Sequence, residues 1–245
     1  QPVPPRQFIA IGIPSFGMVH LFFAARLLNL RIPINYDLVW CYEIGKAVAE
    51  ARNAIVSKAL AIEDTDDRQR RCKAIFFLDD DVLFHPDVLN KLLLHQRPIV
   101  SGLYFTRSVP PEPLIYRGRG SSHYIHWKLG DKVWCDGVPT GTLLIHGSII
   151  KAVWAESPEY NCNGQVTRRV FANVENVNLE GPLLLEGGTS DLHFCDRLIR
   201  EKFFDKAGWP EYQKMKFPFL VDTNIYGTHI EDDGRQFPLG GIPAQ

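Results

Sequence analysis

The chain has 245 residues, of which 45% are apolar and 22% charged, with a formal charge of −1. This composition excludes a disordered chain, and no run reaches the ~18 apolar residues that a membrane-spanning helix needs. The near-zero charge gives no global attraction to nucleic acid or anionic lipid. Arg117, Arg119, Arg168 and Arg169 are candidates for a local basic patch, so a nucleic acid acceptor stays open.

After a proline-rich lead, FIAIGIP (residues 8–14) predicts a buried strand stopped by proline, then a Ser-Phe-Gly turn and an apolar helix to about Leu28. DLVWCY (37–42) predicts a second strand. From Ile44 to Ile62, Ile44, Val48, Ala51, Ile55, Ala59 and Ile62 form one helical stripe, with Arg52 at its flank and Asn53 opposite. AIFFL (74–78) predicts a strand covered on both faces. It runs into Asp79, Asp80 and Asp81, and Pro86 then opens a helix to about His95.

PIVSGLYF (98–105) predicts the next strand, and this alternation of strands and helices implies a parallel, doubly wound sheet with ligands beyond its carboxyl ends. Further strand-like pieces are expected at 123–128, 132–135 and 142–146, with a helix from Ser148 to Ala155. Residues 156–188 predict long loops. A helix from Ser190 to Phe203 would bury Leu192, Cys195, Ile199 and Phe203, and FLVDTNIYGTHI (219–230) would close the fold in one or two strands.

One domain over 1–245 is expected rather than two smaller ones. Cys41, Cys72, Cys135, Cys162 and Cys195 show no CxxC spacing, which suggests neither a disulfide framework nor a zinc site. A reducing, cytoplasmic compartment is the simpler reading. No signal peptide opens the chain, and its start at Gln1 leaves open an upstream anchor that was trimmed.

Three adjacent carboxylates repel one another and resist burial, so a positive partner is expected at 79–81. Oxygen-rich sites of this kind suit Mg²⁺ or Mn²⁺, which leave positions for substrate phosphates. The plain structural alternative is a solvated acidic turn at a helix start.

Four stretches in order carry a resemblance: IGIPSFG; AEARNAIVSKAL; the acidic strand with PIVSGLYFTR; and TGTLLIHGSII with TSDLHFCDRLIRE and VDTNIYGTHI. Together they resemble the metal-dependent glycosyltransferases of the GT-A fold, family-2-like members above all. The resemblance implies a Rossmann-like, mostly parallel sheet flanked by helices, with a smaller acceptor-side sheet and long loops. A nucleotide-sugar-binding half would span about 8–106 and an acceptor-binding half about 107–235.

It implies a DxD pair in Asp79 and Asp81, with Asp81 on the metal and Asp79 on the donor ribose or the metal shell. His229 would complete the metal site. Arg52 would contact the nucleotide, Pro14 and Ser15 would flank its base, and Asp191 would be the acceptor base. Asp80, Tyr104, Arg107, Gly141 and Thr142 are further donor-side candidates, Gly141 and Thr142 because backbone close to a sugar wants a small residue. Trp127, Trp134 and Trp154 read as core. Ser190 stands where the family has Glu, and an aromatic insertion at 203–217 separates Asp191 from His229.

The implied activity is inverting, Mn²⁺- or Mg²⁺-dependent transfer of a hexosyl unit from a UDP- or GDP-sugar to a hydroxyl acceptor. Loops 117–126 and 156–188 would shape the acceptor site. Two other readings stand beside it. In a haloacid-dehalogenase-like phosphatase Asp79 would be the nucleophile and Asp81 the acid/base, although that motif belongs on a first strand. A catalytically silent sugar-binding module would keep the acidic cluster alone.

Overall fold

A computed structural model describes residues 6–66, 70–118, 123–177 and 185–239. The proline-rich lead at 2–5, Arg119 and parts of both predicted acceptor loops lie outside the described residues.

The fold opens with β1 (Gln7–Ser15), α1 (Leu21–Leu28), β2 (Asp37–Ile44), α2 (Val48–Thr65) and β3 (Arg71–Leu78). The short β4 (Val82–Leu83), α3 (Val88–Leu94) and β5 (Ile99–Leu103) follow, then β6 (Lys132–Cys135), β7 (Thr142–His146) and α4 (Gly147–Glu156). Two antiparallel pairs come next, β8 (Glu159–Cys162) with β9 (Gln165–Arg168), and β10 (Val174–Val177) with β11 (Leu185–Gly188). The chain continues through α5 (Ser190–Arg200), α6 (Phe203–Lys206) and α7 (Pro210–Gln213), and ends in β12 (Phe219–Tyr226), β13 (Thr228–Ile230) and β14 (Gln236–Phe237).

The central sheet has the order β2-β1-β3-β7-β5-β12-β6. Strands β1, β2, β3, β5 and β12 run one way, while β7 is antiparallel to both β3 and β5, and β6 to β12. The sheet is therefore mostly parallel and flanked by helices, the Rossmann-like mixed α/β arrangement expected, with β6 and β7 as antiparallel members that the strand-helix alternation does not mark. Strands β6 and β7 share one direction, opposite to the other five, and a buried apolar run such as TLLIH reads the same whichever way it is inserted in the sheet.

Alternation along each strand builds two apolar layers. Phe8, Ala10, Ile75 and Phe77 face a cluster with Ile55, Val56 and Ala59 of α2, Ile149 and Val153 of α4, and Phe194 and Leu198 of α5. Ile9, Ile11, Phe76 and Leu78 face the other side, against Phe23 of α1 and Val88, Leu89 and Leu92 of α3. The strand covered on both faces predicted at 74–78 is thus present. Trp127 is buried, and Trp134 and Trp154 pack on the first cluster, as expected for core residues.

Several local expectations change. Ile44 belongs to β2 and is exposed, whereas Arg52 and Asn53 are buried at 4% and 1% exposure. Asn53 sits inward because its amide bridges Phe171, accepting from its N–H at 2.7 Å and donating to its carbonyl at 2.9 Å. The helix at Ser190 stops at Arg200, since Lys202 adopts φ 57°, and Phe203 falls in α6; the buried face is Phe194, Cys195 and Leu198 rather than Leu192 and Ile199. The stretch expected to be loop carries a β8–β9 hairpin, turned at Asn163 and Gly164 with φ 50° and 84°. An Asn-Gly pair at positive φ is the favoured two-residue hairpin turn. The aromatic insertion packs inward through Phe203, Phe204 and Tyr212.

All five cysteines are buried thiols. Among the described residues, no helix is long and apolar enough to cross a membrane. Arg117 donates to the Trp134 carbonyl and stacks on Tyr124, while Arg168 holds Glu159 and the end of α4; the two share no partner among the described residues.

Candidate active site

Asp79, Asp80 and Asp81 leave the carboxyl end of β3, where the ends of β1 and β5 and the start of the antiparallel β7 also arrive. Helix α2 begins at this same edge because it follows β2. Arg52 in its second turn reaches Asp79, donating through Nη2 to both carboxylate oxygens at 3.0 and 3.2 Å. Its Nη1 donates to Ser190 Oγ at 2.9 Å, which ties the first residue of α5 to the end of β3. Burial opposes the Arg52 charge, but Asp79 and Asp191 outweigh it and keep the guanidinium firmly protonated. The sequence placed Arg52 against a nucleotide; here its head is internal and organises two elements.

Asp81 pairs with Arg107 through Oδ2, and Arg107 also approaches Glu231 at 3.7 Å. Burial, together with Asp79, pushes the Asp81 carboxyl up to about 6 even though Arg107 opposes this. Asp80 is likewise raised by burial, while the Ser15 hydroxyl and the Phe16 backbone bind it. Ser15 in turn accepts from Gly17 N–H at 3.0 Å. The turn after Pro14 is thereby fastened to the acidic segment.

Strand β13 pairs with β4, opposing His229 to Val82, and Ile230 N–H donates to the Asp81 carbonyl at 2.7 Å. His229 thus lies one residue from Asp81 across a strand pair, despite 147 residues of sequence between them. Its Nδ1 lies 2.6 Å from the Phe105 carbonyl, an acceptor only, so the ring proton sits on Nδ1 and the lone pair on Nε2. Burial lowers its pKa and keeps the ring neutral near pH 7.

Tyr104 stacks edge-on against His229 and accepts at 2.6 Å from Gly141 N–H, while Gly141 C=O receives Asp79 N–H at 3.2 Å. A Cβ on Gly141 would sit 2.6 Å from the Tyr104 hydroxyl oxygen. The close approach of Tyr104 by itself requires glycine there. Thr142 is buried at 1% exposure, and its Oγ1 faces Gly102 inside the sheet. Asp191 is half-buried at the start of α5, with Oδ1 accepting from Leu192 N–H at 3.0 Å, and its charge is felt by Arg52, Tyr104 and Tyr116.

The structure therefore gathers Ser15, Arg52, Asp79, Asp80, Asp81, Tyr104, Arg107, Gly141, Asp191 and His229 at one edge, and leaves Thr142 in the sheet interior. Tyr116 and Glu231 are the participants that the sequence did not single out, and Ser190, marked there only as standing in place of the family's Glu, joins them through Arg52. No local pattern marks these roles, since each acts through a partner distant in the chain.

The donor chemistry suits a hard divalent ion: carboxylates at 79 and 81 and a neutral imidazole whose Nδ1–H is held by a carbonyl, the usual outer support of a metal-bound histidine. Among the described residues no three such groups yet converge at ligand spacing. Arg52 and Arg107 instead supply the positive charge.

No protein-family model and no curated protein matches the chain. Among solved structures, A197 from STIV is similar over 98% of this chain and 97% of its own, with a TM-score of 0.53 and 15% identity. A glycosyltransferase involved in the glycosylation of the major capsid of PBCV-1 overlaps 60% of this chain and 66% of its own, with a TM-score of 0.29 and 13% identity. The first likeness, nearly end to end, is a shared fold; the second is a partial overlap.

Proposed function

We propose that the protein is a glycosyltransferase taking a UDP- or GDP-sugar and a hydroxyl acceptor, within one domain divided as the sequence suggests. The observation that carries this reading is the meeting of the Asp79–Asp81 segment with Arg52, His229 and Asp191 at the carboxyl edge of the sheet, where open α/β sheets bind ligands.

Asp79, Asp81 and His229 would hold Mn²⁺ or Mg²⁺, which when bound supplies Lewis-acid stabilisation of a departing diphosphate. Asp191 would accept the acceptor hydroxyl's proton as that oxygen attacks the anomeric carbon from the face opposite the leaving group. Arg52 would hold Asp79 and α5 at fixed spacing, so that base and donor site share one frame. Ser15, Asp80 and Arg107 would line the donor side, with Arg107 free to turn from Asp81 towards phosphate.

The phosphatase reading is disfavoured by Asp79, both of whose oxygens are engaged by Arg52, a poor state for a nucleophile. Thermal shift with nucleotide sugars and Mn²⁺ tests the proposal, because a ligand at 100-fold its Kd stabilises by about 2.7 kcal/mol. Stabilisation should need the metal and vanish in Asp81→Asn. A shift unchanged in that variant would reject the metal assignment.

A further inference from the structure

A second site lies at the opposite edge of the sheet. Lys73 is half-buried near the start of β3, six positions before Asp79, about 20 Å at strand rise. There a cavity of about 400 Å³ opens, lined by Lys73, Arg97, Gln96 and His146 among its polar residues and by Tyr36 and Trp209 among its aromatic ones. Leu92 and Leu144 give it an apolar floor. The size lies within the range of small-molecule pockets.

The polar lining is one-sided. None of the lining residues is acidic. Lys73 is half-buried and has no hydrogen-bond or carboxylate partner among the described residues, and Arg97 uses one nitrogen, Nη1, on Tyr212 Oη at 3.0 Å. His146 adds a third donor. Trp209 Nε1–H, a donor only, gives its hydrogen to Ser148 Oγ at 3.0 Å; that hydroxyl lies 2.9 Å from His146 Nδ1, which also accepts from Ser148 N–H at 3.2 Å. Since Nδ1 is an acceptor, the neutral ring carries its proton on Nε2. The same relay fixes the Trp209 ring edge-on to the imidazole, with centroids 5.3 Å apart.

From this we infer that the cavity binds a small planar organic phosphate, its phosphate on Lys73 and Arg97 with a hydrogen bond from His146, and its flat body between aromatic walls. Two cations left without carboxylate partners match the charge of a phosphate, and charge-assisted hydrogen bonds are the strong ones. Tyr36 and Trp209 suit a flat apolar body. The inference is independent of the chemistry at the acidic edge.

Isothermal titration calorimetry on the whole chain tests it with phenyl phosphate, inorganic phosphate and phenol as probes. Phenyl phosphate should bind at least about tenfold more tightly than either fragment, and Lys73→Gln or Arg97→Gln should each weaken it about tenfold, the loss expected for one charge-assisted contact. Lys128→Gln, an exposed lysine elsewhere, controls for overall charge. Arg97 is exposed, so its variant decides the matter if Lys73→Gln fails to fold. Phenyl phosphate binding no tighter than inorganic phosphate, or binding retained in Arg97→Gln, or lost equally in Lys128→Gln, would overturn the site.

Discussion

Asp79 and Arg52 answer why a chain would run five apolar residues into three carboxylates: the positive charge comes from within the fold. Asp79 keeps 23% exposure and Arg52 only 5% in their side chains, so removing the guanidinium strands a partly desolvated carboxylate. Arg52→Gln should cost about 3 kcal/mol in urea unfolding, whereas a purely nucleotide-contacting arginine would leave stability unchanged and raise only the donor KM. Asp191 gives the opposite pattern. Asp191 lies in the first turn of α5 behind the N-cap Thr189, where its charge meets the helix dipole, so Asp191→Asn should alter stability by at most about 1 kcal/mol, while transfer falls by ~10² to 10⁴ if the proton acceptor is lost. Near-normal transfer would remove the base from this residue. Arg107 competes with any cation for Asp81, so Arg107→Gln should tighten Mn²⁺ binding several-fold in calorimetry; weaker binding would place Arg107 on the metal's side.

At the scale of elements, the sequence located the strands of the central sheet but not which way each runs, and it missed the antiparallel pairs between 159 and 188. AIFFL is an apolar run that reads as a doubly covered strand in either direction, and TLLIH of β7 is the same kind of run inserted antiparallel. Helix α2 misled in another way. Its stripe was drawn from apolar spacing, yet Arg52 and Asn53 are buried because their partners, Asp79, Ser190 and Phe171, come from other elements. The β8–β9 turn is legible at Asn163-Gly164, the favoured two-residue hairpin pair. The acidic cluster was visible because its members are adjacent, while His229 and Asp191 reached the site through family resemblance rather than local pattern. Close packing between elements offers its own test. A Cβ on Gly147 would lie 2.1 Å from the Cys72 carbonyl oxygen, so Gly147→Ala should prise α4 from β3 and cost about 1–3 kcal/mol in urea unfolding.

Across the whole molecule, carboxylates away from the site govern acid stability. Burial opposes ionisation of Glu63, but hydrogen bonds from Lys151, Cys72 N–H and Arg71 outweigh it and hold the pKa below 4.5. A depressed folded pKa contributes stability that is full above the unfolded value and disappears as pH falls through the folded one. Glu63→Gln should therefore melt several degrees below the wild type near pH 6, about 2–4 °C for each kcal/mol lost at this size, and the gap should close as pH falls below the ordinary glutamate range. A gap that stays constant would assign the loss to packing. The central claim concerns what the carboxyl edge does as a whole, and product identity tests it most directly. The purified chain, given UDP- and GDP-sugars, Mn²⁺ and a panel of hydroxyl acceptors, should release a nucleoside diphosphate together with the glycosylated acceptor. Inorganic phosphate without nucleoside diphosphate, or nucleotide binding with no turnover across the panel, would contradict it.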